Sequence, residues 1–248
     1  MDEILAKRDD DLLTLTLNRP SKMNAVTRAM YGELVRHLRE ASGDFGVRAV
    51  VIKAAGAHFT AGNDIYDFIE DPAAGRESEG FQFLRELHNF PKPIIAIVHG
   101  NAIGIGTTML LHCDMVYAAP SARFSLPFVS LGLVPEAGSS FLFPSLVGYQ
   151  RAAHYFFSGD SFDATQAKEM GLVTMVVEDA DKVAMDCAKK IAAKPPTAII
   201  NTKALLKSRT HDAVLAVMEV EGELFRLALQ SDEAKEAFMK FVSKATKE

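Results

Sequence analysis

Cysteine is scarce in this chain, and Cys113 and Cys187 form neither a metal-ligand spacing nor a disulfide framework. So small a thiol complement suits a reducing compartment. Long apolar runs are missing as well: no stretch reaches the ~18–20 residues that a membrane-spanning helix needs. Positive charge is not in excess, since 27 Lys and Arg face 32 Asp and Glu for a formal net charge of −5. General affinity for nucleic acid is therefore disfavoured, although a local basic patch for a phosphorylated ligand stays compatible with this balance. The opening residues, Met1 to Asp11, are too acidic and too interrupted for a signal or transit peptide. These absences predict a cytoplasmic protein with no membrane segment. What the chain does have is apolar bulk, 48% of 248 residues, enough for one large domain or one domain with an appendage.

Leu12 to Leu17 alternates with period two and stops at Asn18-Arg19-Pro20, which predicts a strand with a turn behind it. Ala29 to Ala41 carries Met30, Leu34, Val35 and Leu38 on one helical face. Ala49–Ile52 and Ile94–Val98 are short continuous apolar runs, as expected of strands buried on both faces. Met115–Ala118 and Val173–Val177 repeat that pattern. Strands alternating with helices predict an α/β core with largely parallel strands. From Asp179 onward only helical stretches follow: Val183–Ala193, Ala198–Leu206, Ala213–Leu229 and Glu233–Val242, the first two separated by Pro195-Pro196. The expected division is a core over 1–190 and a helical region over 191–248. Glu70 to Gly80 is polar and turn-rich, and is expected to form a mobile loop.

Three segments hold the chemistry. Phe59-Thr60-Ala61-Gly62-Asn63-Asp64 follows a buried strand, and Gly62 permits a sharp turn that leaves the Asn63 N–H pointing out of a helix start. By itself this segment reads equally as a helix capped by Asn63 or Asp64. Gly100-Asn101-Ala102-Ile103-Gly104-Ile105-Gly106 lacks the dinucleotide-binding spacing. It reads either as backbone open to a ligand, with the Ile105 N–H as donor, or as close packing that needs small residues. Glu136 lies in Val134-Pro135-Glu136-Ala137-Gly138, running into a further helix start. Two backbone donors can hold a carbonyl oxygen as it gains negative charge, and one carboxylate beside them can move a proton on the neighbouring carbon.

Taken with Asn18-Arg19-Pro20, Asn24-Ala25, Cys113-Asp114, Phe124-Ser125-Leu126-Pro127, Gly159-Asp160, Ala164-Thr165-Gln166-Ala167 and Gly171-Leu172-Val173, these segments resemble the crotonase (enoyl-CoA hydratase/isomerase) superfamily. The resemblance covers nearly the whole chain in order and spacing. It implies an α/β fold, a crotonase-like spiral core of ββα turns with a helical C-terminal region, assembled as a homotrimer or a dimer of trimers. It also implies an acyl-CoA thioester substrate and no cofactor, CoA being part of the substrate. Asn63 and Ile105 then match the family's two N–H donors. Members that hydrate enoyl-CoA use two glutamates, and this chain has Thr108 and Phe128 at those positions. Glu136 instead matches the single glutamate of the Δ3,Δ2-enoyl-CoA isomerases of the peroxisomal type. Without that frame, Glu136 reads as a solvated loop residue or a helix-start carboxylate.

The expected reaction moves a 3-enoyl-CoA double bond to the 2 position through a dienolate, with Glu136 as the one base and Phe128 as an apolar wall that raises its pKa. The resemblance further implies substrate contacts from Lys22, Asn24 and Ala25, from Ala61, Gly62 and Asp64, and from Gly104, Gly106, Thr108 and Phe128. Phe241 and Lys244 match a pair that meets the CoA adenine and its phosphate. Elsewhere, His99 and His112 read as structural, Asp64 and Asp114 as fasteners of loops and helix starts, and Met109, Leu110 and Leu111 as core. Another crotonase reaction such as hydration, or a non-catalytic acyl-CoA-binding module, remains as the alternative.

Overall fold

Alternation within the apolar runs explains the architecture. The computed structural model describes residues 2–70 and 78–245, without the side chains of residues 68–70, 241–242 and 244–245. Strands β1 (Ile4–Asp9) and β2 (Leu12–Leu17) form an antiparallel hairpin. Helix α1 (Arg28–Gly43) leads to β3 (Ala49–Ala54), and the segment to β4 (Ile94–Val98) contains α2 (Ile65–Glu70) and α3 (Glu79–Asn89). Thr27 and Ser78 cap α1 and α3, each accepting an N–H from the first turn. Then come β5 (Asn101–Ile103), the short α4 (Ile105–Thr108), β6 (Met115–Ala118) and β7 (Arg123–Ser125). Helices α5 (Ser139–Val147) and α6 (Tyr149–Ser158), strand β8 (Phe162–Asp163), α7 (Ala164–Glu169) and β9 (Met175–Val176) follow. The chain closes with α8 (Ala180–Ala192), α9 (Pro196–Lys207), α10 (His211–Leu229) and α11 (Asp232–Ala245).

Six strands form one sheet in the order β1-β2-β3-β4-β6-β9, parallel except at the β1–β2 hairpin. A smaller sheet, β5-β7-β8, lies beside it. Successive residues of a strand face opposite sides, so each apolar run supplies two cores. Val50, Ile52, Ala96 and Val98 join the large core with α1, α3 and the small sheet. Ala49, Val51, Ile95 and Ile97 face the other way, where Ala180, Ala184, Ala188 and Ala192 of α8 cover them. Alanines four apart let α8 lie close on the sheet. The helical run that starts after Asp179 therefore begins as part of the α/β layer.

Two differences from the sequence reading have local causes. Strand β1 has one buried residue, Ile4, and the other five are exposed, so it carries little apolar signal. The strand expected over Val173–Val177 contracts to Met175–Val176, because Leu172 and Val173 turn into the core after α7. The polar stretch Glu70–Gly80, expected as a mobile loop, lies mostly outside the described residues.

The C-terminal helices share the main core. Val214, Met218, Leu229, Ala234 and Phe238 belong to the same buried cluster as the sheet. On α9, the buried Lys203 donates to Asp114 at 2.7 Å and to the Lys92 carbonyl at 2.8 Å. Truncation after Pro196 should thus yield insoluble or misassembled protein, because it opens this core. A truncated chain that purifies well, with unchanged acyl-CoA affinity by calorimetry, would contradict that expectation. No helix among the described residues is long and apolar enough to cross a membrane.

Candidate active site

Glu136 sits on a turn whose backbone is strained. Ala137 has φ +68° and Gly138 φ +67°, two successive left-handed residues ahead of α5. A left-handed alanine costs roughly 1–2 kcal/mol, so the surroundings must hold it. They do so from three sides. His112 Nε2 donates to the Ala137 carbonyl at 2.7 Å, Glu221 accepts the Gly138 and Ser140 N–H groups, and the Ser139 N–H reaches the Glu136 carbonyl at 3.1 Å.

The Glu136 carboxylate faces a cavity whose empty volume, counting its open mouth, is about 820 Å3. Val26, Phe81, Leu84, Ile105, Ala137, Met218, Phe225 and Leu229 make most of its wall apolar. Burial, and then the charge of Glu221, push the pKa of Glu136 up to about 8, while a hydrogen bond from Asn63 pulls it down. That bond runs from Asn63 Nδ2 to Glu136 Oε1 at 3.4 Å. The Tyr31 hydroxyl donates to Asn63 Oδ1. Burial, and then the charges of Glu136 and Asp67, keep the Tyr31 pKa well above its ordinary value, so it stays a phenol.

Asn63 and Ile105 line the same cavity as Glu136. Their loops touch: Thr60 pairs with Ala102, and a Cβ on Gly62 would meet the Ile103 carbonyl at 3.0 Å. Gly62 has φ +97° and Gly104 φ +57°, conformations that turn each chain just before Asn63 and Ile105. Among the described residues, neither the Asn63 nor the Ile105 N–H has a hydrogen-bond partner. Gly106 has the other cause considered above: a Cβ there would meet Thr60 Cγ2 at 2.5 Å, so it is a packing glycine.

The remaining expected residues divide. Asp64 lines the cavity, but its carboxylate is engaged by Arg19 at 2.6 Å and the Tyr66 N–H at 3.1 Å. Asn24 is fully buried, and its amide donates to the Ala55 and His58 carbonyls, both at 2.8 Å. Lys22 is exposed, and the Ala61 N–H to the Met23 carbonyl, 2.9 Å, brings the Lys22–Ala25 turn beside the Asn63 loop. Thr108 and Phe128 do not line the cavity. Thr108 is fully buried, with no partner for its hydroxyl among the described residues, and Phe128 packs near Phe156. The apolar wall of the cavity that Glu136 lines includes Phe81, Leu84, Met218, Phe225 and Leu229, and Phe128 is not part of it. Phe241 and Lys244 lie on α11, with side chains outside the described set. His99 is structural, bonded to the Gly56 carbonyl at 2.9 Å; Asp114 accepts the Ile94 N–H at 2.7 Å.

Sequence reasoning missed Tyr31 and Glu221. Tyr31 sits on the apolar face of α1, where an aromatic is ordinary. Glu221 left a usable signal, because it falls in the stripe Val214, Met218, Glu221, Phe225 at helical spacing. A carboxylate in such a stripe needs partners.

A family model described as enoyl-CoA hydratase/isomerase matches residues 7–248. The chain belongs to the enoyl-CoA hydratase/isomerase family. It is 35% identical to enoyl-CoA delta isomerase 2 of Rattus norvegicus over 98% of its own length, but spans only 64% of that protein. It is 34% identical to 2,3-dehydroadipyl-CoA hydratase of Escherichia coli, covering 99% of this chain and 98% of that one. The structure of Pseudomonas aeruginosa OdaA is similar throughout, with a TM-score of 0.95, 42% identity and coverage of 97% and 99%. The fold is thus that of the crotonases, and acyl-CoA thioesters are the substrate class of the family.

Proposed function

We propose that this chain is an enoyl-CoA isomerase that shifts a 3-enoyl-CoA double bond to the 2 position, with Glu136 as its single base. One observation carries the reading: the Glu136 carboxylate, its pKa raised, faces the cavity beside the Asn63 and Ile105 N–H groups, which have no hydrogen-bond partner among the described residues. The thioester oxygen takes both N–H donors. Ionised Glu136 removes a proton from C2, the C2–H electron pair moves into the conjugated system, and negative charge collects on that oxygen. Each such donor typically contributes about 3 kcal/mol to the transition state. Glu136, now a neutral acid in an apolar wall, returns the proton at C4. Burial favours that neutral form, which makes the ionised form a stronger base. The Asn63 amide accompanies the carboxylate, and Tyr31 holds the amide. Within this reading the Lys22–Ala25 turn, Phe241 and Lys244 serve the CoA portion, and no separate cofactor takes part. Assembly as a trimer or dimer of trimers belongs to the same proposal; Val220, Leu224 and Leu227 leave an exposed apolar stripe on α10 that fits it.

Hydration is the second reading, because the Escherichia coli hydratase is about as similar as the isomerase. Assaying purified protein on 3-enoyl-CoA and 2-enoyl-CoA side by side separates the two. The pH dependence adds a check on the base. Glu136 must be ionised to act, so kcat/KM for isomerisation should rise with pH and level off above about 8. A profile already flat from mildly acidic pH would show that another group is the base.

A further inference from the structure

Glu221 is 5% exposed and lies on the inward stripe of α10. Both of its carboxylate oxygens are engaged: Oε2 accepts the Gly138 N–H at 2.6 Å and Oε1 the Ser140 N–H at 2.8 Å. These donors open α5, whose N-cap residue, Gly138, has no side chain to offer. A carboxylate from a distant helix takes the place of that cap, and charge-assisted bonds of this length favour its ionised form. Glu136, two residues before Gly138, has by contrast one long side-chain bond among the described residues, from Asn63 at 3.4 Å.

Two neighbouring buried carboxylates do not both ionise cheaply, and the one with better donors keeps the charge. Burial raises the pKa of Glu221 as well, but the Ser140 and Gly138 donors act to lower it. The other described groups around Glu136 that could carry charge are neutral or paired. Tyr31 stays a phenol, and His112, behind Ala137, is held neutral by burial, its pKa pushed down to about 3. Asp67 accepts the Arg28 N–H at 2.6 Å and its carbonyl accepts Arg28 Nη2 at 2.7 Å, while Asp64 pairs with Arg19. Glu221 is the charge that acts on Glu136.

We propose that Glu221 is a positioning residue for Glu136: it clamps the strained Glu136-Ala137-Gly138 turn to α10 and, by holding the negative charge of the pair, makes the cavity carboxylate the stronger base. The catalytic consequence rests on the isomerase reading; the electrostatic one does not.

Infrared difference spectra between the wild type and Glu136→Gln isolate the Glu136 carboxyl band, which should titrate near neutral to mildly alkaline pH. In a Glu221→Gln background the midpoint should fall by about one unit or more, since the like charge is gone. The pH–rate profile should move the same way, with kcat reduced and KM little changed. Glu221→Asp, which keeps the charge, should retain the high midpoint. A folded Glu221→Gln protein with an unmoved Glu136 midpoint overturns the proposal. Where Glu221→Gln does not fold, the wild-type-minus-Glu221→Asp spectrum decides. It must show an ionised carboxylate at position 221 at neutral pH; a protonated one there overturns the assignment. If the enzyme proves inactive on 3-enoyl-CoA while the Glu136 midpoint still moves, the reaction reading alone falls.

Discussion

Glu136→Gln is expected to lower isomerase turnover by about 10²–10⁴-fold or more while acyl-CoA binding stays close to wild type. The amide keeps the shape of the side chain and its polarity. Of the three described carboxylates that line the cavity it removes Glu136; the other two, Asp64 and Asp67, are engaged by Arg19 and Arg28. The thioester oxygen still finds the Asn63 and Ile105 N–H groups, so affinity measured by calorimetry should change little. Retained turnover would remove Glu136 from its role and the isomerase reading with it.

The same substitution should make the fold more stable in alkali. Glu136 has a folded pKa of about 8 against an ordinary value of 4.5, so the native chain binds the extra proton between those limits. Its contribution to stability is full below the ordinary value and is lost as pH rises through about 8. On the order of 3–5 kcal/mol is at stake, reduced where solvent enters the cavity. Thermal melts of the two proteins should therefore diverge with rising pH, Glu136→Gln being the more stable at alkaline pH. Parallel curves would mean that Glu136 ionises freely in the native state. A base desolvated for catalysis is expected to weaken the fold that carries it.

Much of the fold could be read in advance because its signals are local. The strands Leu12–Leu17, Ile94–Val98 and Met115–Ala118 coincide with the apolar runs that announced them, and α1 and α10 with their helical stripes. The small sheet escaped notice because β5, β7 and β8 are two or three residues long. At the site, Gly62, Gly104 and Glu136 were legible as a chemical set, since glycine and carboxylate carry meaning at single positions. The supports were not. Tyr31 reaches Asn63 from α1, and Glu221 reaches α5 from α10, through contacts between segments far apart in the chain. Phe128, expected beside Glu136 because the resemblance puts it at a family glutamate position, packs instead near Phe156.

Wild-type protein is expected to isomerise 3-enoyl-CoA with a specificity constant at least about 10²-fold above that for hydrating 2-enoyl-CoA, a gap of roughly 3 kcal/mol in transition-state stabilisation. Hydration needs one group to activate a water and another to deliver a proton at C2. Among the described residues, Glu136 is the one cavity carboxylate that no arginine engages, and Glu221 is committed to the start of α5. The resemblance puts the two glutamates of family hydratases at the positions of Thr108 and Phe128. Restoring them as Thr108→Glu with Phe128→Glu should nevertheless fail to create a hydratase. Thr108 is 0% exposed and Phe128 4%, and neither lines the cavity. Each new carboxyl would be buried without a partner, at a cost of several kcal/mol that the fold resists by neutralising the group or by unfolding. Loss of thermal stability without gain of hydration is therefore the expected result. Efficient hydration by the unmodified chain would sink the single-base mechanism. A stable double variant that hydrates would show instead that both positions reach the substrate.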